Sequence, residues 1–334
     1  MTRAVLRSTG RYFPSRVIPN SYFYDDLGLD TNEEWIRSRT GIITRHMVDH
    51  EAGEATAHMC TEAAKQALER AGVDATEIDG VICATNTPDL VFPATGCLIQ
   101  DKLGATGAFG WDVQAACSGF LYALAQGVAM IKSGISKRLL ICGGDTMSSF
   151  LDYTDRNTCI IFGDGAGAFL IEAAEEGEDV QGEFLNFCLH ADGSGAEFLQ
   201  MPGGGSLRPP THSTVDDRLH FVHQDGRTVF KHAVKRMAEV LQELIDDAGI
   251  DKSEVALFVP HQANKRIVDA CAKRLAMEDS KVMLTLPQWA NTTAGTIPTS
   301  FDLAIEEGRL KRGDYVVLAT FGAGFTWGAS LIRW

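Results

Sequence analysis

The chain has no run of about 20 consecutive apolar residues, so no segment of it reads as a membrane-spanning helix. Its first residues, Met1-Thr-Arg-Ala-Val-Leu-Arg7, lack the long apolar stretch of a signal peptide. Cys-x-x-Cys pairs are absent among eight cysteines (Cys60, Cys83, Cys97, Cys117, Cys142, Cys159, Cys188 and Cys271), most of which lie in apolar runs. That pattern argues against a zinc site or a disulfide framework and for reduced thiols in a cytoplasm, with no metal expected. Basic residues are scarce: 30 Lys and Arg face 44 Asp and Glu, a net charge of −14 that argues against bulk nucleic-acid binding. What remains is 334 residues, 45% hydrophobic, enough for two ordinary domains or one large duplicated one.

Within that frame Cys117 stands out, in Val113-Gln-Ala-Ala-Cys-Ser-Gly119. The apolar run Phe120 to Ile131 follows, with no proline and a stop at Lys132-Ser-Gly134, and predicts a buried helix with the thiol at its N-terminal end. A helix N-terminus carries roughly half a positive charge, which favours a thiolate. Two polar breaks beside apolar elements offer partners: Val259-Pro-His-Gln-Ala-Asn264 and Trp289-Ala-Asn-Thr-Thr-Ala-Gly-Thr-Ile-Pro298. A cysteine, a histidine and an asparagine so placed suggest acyl transfer through a thioester. The commoner fate of a cysteine is a buried core residue. The helix-start position and the small flanking residues reverse those odds for Cys117 alone.

The chain also repeats itself. Ala71-Gly-Val-Asp-Ala-Thr-Glu-Ile78 answers Ala248-Gly-Ile-Asp-Lys-Ser-Glu-Val255, an offset that also places Leu139-Leu-Ile141 on Val316-Val-Leu318. Continuous apolar strands such as Gly80–Ala84 and Val255–Val259 suit sheets covered on both faces. The same offset carries Cys117 onto Ala294, in the Asn291 segment. Residues 1–175 and 176–334 are therefore expected to be two equivalent halves, the first bearing the cysteine and the second His261 and Asn291. Met201-Pro-Gly-Gly-Gly-Ser-Leu-Arg-Pro-Pro210 reads as a surface insertion.

These features, with Asn32-Glu-Glu-Trp-Ile36, Arg39-Thr-Gly41, Tyr153-Thr-Asp-Arg156, Phe162-Gly-Asp-Gly-Ala-Gly167 and Phe321-Gly-Ala-Gly-Phe-Thr-Trp327, occur in order along nearly the whole chain. The chain thereby resembles β-ketoacyl-acyl-carrier-protein synthase III, the family of initiating condensing enzymes of bacterial fatty-acid synthesis in the thiolase-like superfamily. The resemblance implies a five-layered α-β-α-β-α fold and a homodimer. It implies a ping-pong reaction in which acyl-CoA loads the cysteine and malonyl-acyl-carrier protein decarboxylates and condenses, with no cofactor. Alternatives in the same resemblance are a condensing enzyme of secondary metabolism and a Cys-dependent acyltransferase or thioesterase acting on acyl-CoA.

Residue by residue, the resemblance makes Cys117 the nucleophile and gives His261 and Asn291 the thioester carbonyl of the malonyl carrier. A neutral imidazole that donates fits that task, because decarboxylation removes no proton from carbon. The oxyanion hole falls to the amides of Cys117 and Ala323, where an alanine stands in place of the more usual glycine. Trp35, Arg39 and Arg156 match the positions that hold the CoA adenine and phosphates, and Asn264 one that orients the site or meets the pantetheine arm. Phe92 matches a residue that crosses the dimer interface to shape the partner's acyl pocket; an ordinary interface hydrophobe is the competing reading. Lys231, Arg266, Lys273 and Arg274 match the surface that receives acidic acyl-carrier protein, although each alone reads as a solvated helix face. The helix opening at Gly226 places its bases first and its acids last, backwards for the macrodipole. Gly163-Asp-Gly-Ala-Gly167 is not a phosphate loop, because Ala168-Phe-Leu-Ile-Glu172 behind it reads as a strand.

Overall fold

A computed structural model describes residues 2–334. The first part runs β1 (Arg3–Tyr12), β2 (Arg16–Pro19), α1 (Glu33–Thr40), β3 (Thr44–Met47), α2 (Thr56–Ala71), β4 (Gly80–Ala84) and α3 (Thr95–Leu103). It continues with β5 (Phe109–Val113), α4 (Gly119–Lys132), β6 (Arg138–Asp145) and β7 (Gly165–Ala174). The second part runs β8 (Glu183–Ala191), β9 (Leu199–Gln200), α5 (His212–Asp216), β10 (His223–Gln224), α6 (Gly226–Ala248) and β11 (Val255–Pro260). Helices α7 (Lys265–Arg274), α8 (Leu286–Trp289) and α9 (Thr296–Glu306) precede the closing hairpin of β12 (Tyr315–Gly322) and β13 (Thr326–Arg333).

Nine strands join in the order β11-β12-β13-β8-β1-β7-β6-β4-β5. The seam lies at β1 and β8, which share one ladder pair, Val5 with Glu183, and a bond from Leu6 N–H to the Gly182 carbonyl. The strands on either side form two wings. Alternation within single strands shows how the wings stack. Leu139 and Ile141 of β6 and Val316 and Leu318 of β12 share one core with Phe120 and Leu124 of α4 and Ile297 and Phe301 of α9. The intervening residues Leu140 and Cys142 face Ala63, Ala67 and Leu68 of α2 in a second core. Val317 and Ala319 face Val229 and Leu241 of α6 in a third. The layers are thus helix, sheet, paired helices, sheet, helix: the five-layered α/β arrangement. Strands covered on both faces lose the polar half of their alternation, which is why they read as unbroken apolar runs.

The offset of the sequence repeat recurs in three dimensions. Helix α2 ends on Gly72 and α6 on Gly249, both left-handed with φ +65°. Asp74 and Asp251 then build matching capping boxes, each with the glutamate three residues on. The turns Ala116–Ser118 and Thr293–Gly295 lead directly into α4 and α9. Ala116 and Thr293 open those turns with the same left-handed φ of +49°. Helix α6 keeps its reversed order, with no acid in its first turn and no base in its last; its N-cap Asp225, just outside the helix, accepts from the N–H groups of Arg227 and Thr228 and offsets part of that reversal.

Candidate active site

Cys117 sits in the turn Ala116–Ser118, two residues before α4 proper, and is buried. The second half of the chain clamps this turn. Thr320 Oγ1 donates to the Cys117 carbonyl (2.9 Å), Thr326 Oγ1 to that of Ala115 (3.0 Å), and Ser118 Oγ to that of Thr326 (3.0 Å). Gly322 makes the approach possible, since a Cβ there would lie 2.8 Å from the Cys117 nitrogen. The Thr326 hydroxyl also reaches the Ala323 carbonyl (3.0 Å), so the Phe321-Gly-Ala-Gly324 segment and Ala115 meet at one side chain. The electrostatics correct the expected thiolate. Burial pushes the thiol up to about 12, the buried carboxylate of Asp145 adds to the rise, and only its own backbone N–H pulls it down. At rest Cys117 is therefore a thiol.

His261 follows β11 and is buried. Its Nδ1 lies 2.7 Å from Thr296 Oγ1, and desolvation lowers its pKa to about 3, so the imidazole is neutral. The Thr296 hydroxyl also reaches the Thr293 carbonyl at 3.0 Å. That carbonyl already accepts the Thr296 backbone N–H, so the one hydroxyl proton can turn to either acceptor. Either tautomer of His261 is therefore satisfied at Nδ1.

Asn291 is tied by its backbone to the neighbouring segment: its N–H donates to Ile161, and its carbonyl accepts from Gly163 (both 3.1 Å). Its side-chain Oδ1 accepts the Thr293 N–H at 2.8 Å, which leaves Nδ2 as the outward donor. Cys117, His261 and Asn291 line one cavity of about 130 Å³, walled by Phe230 of α6, Ile267 of α7 and Phe321. A thiol nucleophile, a neutral imidazole and an amide donor around an apolar slot can form a thioester and stabilise an oxyanion beside it.

The surrounding residues fall into separate groups. Trp35, on α1 and half-buried, has the Arg156 guanidinium 5.0 Å and that of Arg39 5.8 Å from its ring centre. Asn264 lines the cavity, caps α7 through Arg266 N–H and donates to the Arg39 carbonyl, linking this cluster to the His261 loop. Lys231 and Arg266 are exposed on neighbouring helices, with Arg266 over the Phe230 ring (5.4 Å), while Lys273 and Arg274 lie at the far end of α7. Phe92 is 83% and Val91 90% exposed, outside the cavity lining. The insertion after Met201 is pinned to the segment before Arg156 by Arg218 and Asp152. Gly163-Asp-Gly-Ala-Gly167 runs into β7, and Asp164 within it is buried under the N–H groups of Val48 and Ser148.

Sequence reasoning missed three residues. Asp145 lies buried between the two halves, and Thr296 partners the histidine. Arg45 is a buried guanidinium that donates to the carbonyls of Ile18 and Ile160 and to Asn20 Oδ1, fixing the segment that holds Asn291. The residue types gave no signal, because each acts through contacts distant in sequence. All eight cysteines are free, and Cys97 is exposed beside β5. Away from the cavity, Cys188 lies against Glu243 and Asp247. Burial and these two carboxylates push that thiol up to about 12, so the cluster holds a proton. Among the described residues no helix is long and apolar enough to cross a membrane.

The family model for the C-terminal part of 3-oxoacyl-[acyl-carrier-protein] synthase III matches residues 245–334, and that for 3-oxoacyl-[acyl-carrier-protein] synthase III matches residues 111–193. A β-ketoacyl-[acyl-carrier-protein] synthase III of Solibacter usitatus is 50% identical, aligned over 100% of this chain and 99% of its own length. Among solved structures, the 3-oxoacyl-[acyl-carrier-protein] synthase III of Aquifex aeolicus superposes with a TM-score of 0.89 at 38% identity, covering 99% of this chain and 100% of that one. The priming β-ketosynthase of the R1128 polyketide pathway superposes with 0.90 at 30% identity, covering 99% and 96%.

Proposed function

The chain belongs to the β-ketoacyl-acyl-carrier-protein synthase III family, and from that membership we propose how its residues divide the reaction. The protein is a condensing acyltransferase that initiates fatty-acid synthesis, joining an acyl-CoA primer to malonyl-acyl-carrier protein with loss of CO₂. Identity favours this reading over the polyketide one: 50% to the fatty-acid relative against 30% to the priming ketosynthase.

In the first half-reaction the Cys117 sulfur attacks the acyl-CoA carbonyl. Its proton, held tightly by burial, is not lost beforehand; it leaves only as the C–S bond forms, through His261, whose lowered basicity makes it a relay and not a resting base. The tetrahedral oxyanion is met by the N–H groups of Cys117 and Ala323. Collapse expels the CoA thiolate, which takes the proton back and leaves as the thiol. In the second half-reaction the malonyl thioester carbonyl accepts hydrogen bonds from His261 and from Asn291 Nδ2. The C–C bond to the carboxylate breaks, CO₂ departs and its electron pair becomes an enolate under those donors. The enolate carbon attacks the acyl group on Cys117. The sulfur leaves as a thiolate and takes a proton from solvent. The two steps ask His261 first to accept and then to donate at one nitrogen, and the rotating Thr296 hydroxyl suits both states. This chemistry is complete with side chains and amides, so no resident cofactor enters the reading.

We further infer that Trp35, Arg39 and Arg156 receive the CoA nucleotide, whose flat adenine matches an indole and a guanidinium. Asn264 orients the arm that enters the slot. The exposed bases Lys231 and Arg266, with Lys273 and Arg274, receive the acidic carrier. A homodimer is supported by β5, an edge strand with a partner on one side only, and by the exposed apolar loop Leu90-Val-Phe92 near it. Residues 1–175 and 176–334 act as two halves, contributing the nucleophile and the enolate donors respectively. Eight free thiols suit a reducing cytoplasm.

The observation that carries the reading is the convergence of Cys117, His261 and Asn291 on one cavity with Asn291 Oδ1 tied back. Its test is intact-protein mass after incubation with a panel of acyl-CoAs and then malonyl-acyl-carrier protein. The expected result is an adduct on Cys117 that is discharged by the malonyl carrier with release of CO₂. An adduct indifferent to the malonyl carrier would refute it.

A further inference from the structure

We propose that Asp145 is a positioning residue for the enolate-stabilising asparagine, holding Asn291 in its donating orientation through Thr293. This rests on the reading of Asn291 just given. Asp145 ends β6, is fully buried, and forms no ion pair among the described residues. Its two oxygens divide their donors by origin. Oδ1 accepts the hydroxyls of Thr85 and Thr87 (both 3.0 Å) and the N–H groups of Asn86 (2.7 Å) and Thr87 (3.1 Å). These belong to the turn after β4, at the root of the exposed Leu90–Phe92 loop. Oδ2 accepts the Thr293 hydroxyl and the Ala294 N–H (3.4 Å), both from the turn after Asn291. Every partner is a donor, the set an ionised carboxylate requires.

Thr293 needs such an anchor. It is β-branched yet held at φ +49°, a region that is strained for such residues and persists only where the surroundings enforce it. In that conformation its N–H points at Asn291 Oδ1 (2.8 Å), and the amide is thereby turned so that Nδ2 faces the cavity. The duplicated fold places Asp145 opposite Gly322, since both close equivalent strands, β6 and β12. Gly322 packs its backbone on the Cys117 turn, and Asp145 grips the Asn291 turn with its carboxylate. Each half thus braces the catalytic turn of the other. Gly143, two residues before Asp145, lets the strand come this close: a Cβ there would lie 2.6 Å from the Ala294 carbonyl.

The test separates the two half-reactions in Thr293→Val, Thr293→Ser and Asp145→Asn. Cys117 is followed by its alkylation rate with iodoacetamide and by loading from a panel of straight and branched acyl-CoAs. Asn291 is followed by CO₂ release from malonyl-acyl-carrier protein. Thr293→Val is expected to slow CO₂ release by about 100-fold while alkylation and loading stay within about threefold, because only the donor geometry shifts. Thr293→Ser restores the hydroxyl and is expected to recover CO₂ release. Asp145→Asn is expected to follow Thr293→Val, and if it fails to fold the threonine pair still decides the matter. Equal losses in loading and CO₂ release, or no recovery with serine, would overturn the positioning role. If the unaltered protein releases no CO₂, the proposed function itself falls, and this inference with it.

Discussion

Replacing His261 by glutamine should make the protein less sensitive to acid. The imidazole is buried without a carboxylate partner, and desolvation lowers its pKa from 6.5 to about 3. In the unfolded chain it titrates near 6.5. Between pH 6.5 and 3 the unfolded state therefore binds the extra proton, so stability rises with pH across that window and is lost as pH falls through it. At about 1.4 kcal/mol per pH unit, with the shoulder near 6.5 included, His261 costs the native state about 2 kcal/mol on going from pH 7 to pH 5. Buried carboxylates such as Asp164, raised to about 6, also shift the pH curve, but they do so in both proteins. Urea unfolding of the parent and His261→Gln at pH 7 and pH 5, at one fixed protein concentration, isolates the histidine term. The parent should lose about 2 kcal/mol more than the variant over that interval. Parallel losses would show that His261 titrates normally in the fold, and the neutral donor reading would go with it.

The other predictions concern chemistry. Cys117→Ala should abolish acyl loading, seen by intact mass, with an unchanged circular dichroism spectrum; loading at another cysteine would displace it as the nucleophile. Asn291→Ala should still load acyl groups but condense about 100-fold or more slowly, a loss of the size seen for one oxyanion donor, measured by product formation from preloaded enzyme. Trp35→Ala should raise KM for acyl-CoA about tenfold, since stacking on one base is worth about 1–3 kcal/mol, and leave KM for the carrier protein alone. Reversing charge at Lys231 together with Arg266 should raise KM for the carrier more than for acyl-CoA and flatten its salt dependence.

Much of this site was legible because its residues sit at the ends of periodic elements. The apolar run after Cys117 announced α4, Pro260 closed β11 just before His261, and the repeat pointed from Cys117 to the Asn291 turn. Family resemblance then supplied roles that spacing alone could not. What stayed hidden depends on distance through space. Asp145 and Thr293 are 148 residues apart, and nothing in Gly143-Gly-Asp145 marks its aspartate as a bridge. Thr296 and His261 are 35 apart, joined only because α9 and β11 belong to one wing. The thiol was misjudged for the same reason: helix position is local and readable, whereas burial belongs to the whole fold. Asp225 escaped notice because it lies one residue outside the basic run that drew attention to α6.

Duplication did not leave two independently viable modules. The central layer is built from α4 of one half and α9 of the other, and Phe120, Phe169 and Phe301 meet there in edge-to-face contacts. Severed from its twin, either half would expose to water the inner face of its sheet and the buried face of its central helix. The molecule should therefore fold as one cooperative unit, slowly, because its nucleus joins segments far apart in the chain. Co-expressed fragments cut in the loop between Ala174 and Glu183 should recover activity only when both are present, each serving as the folding template of the other.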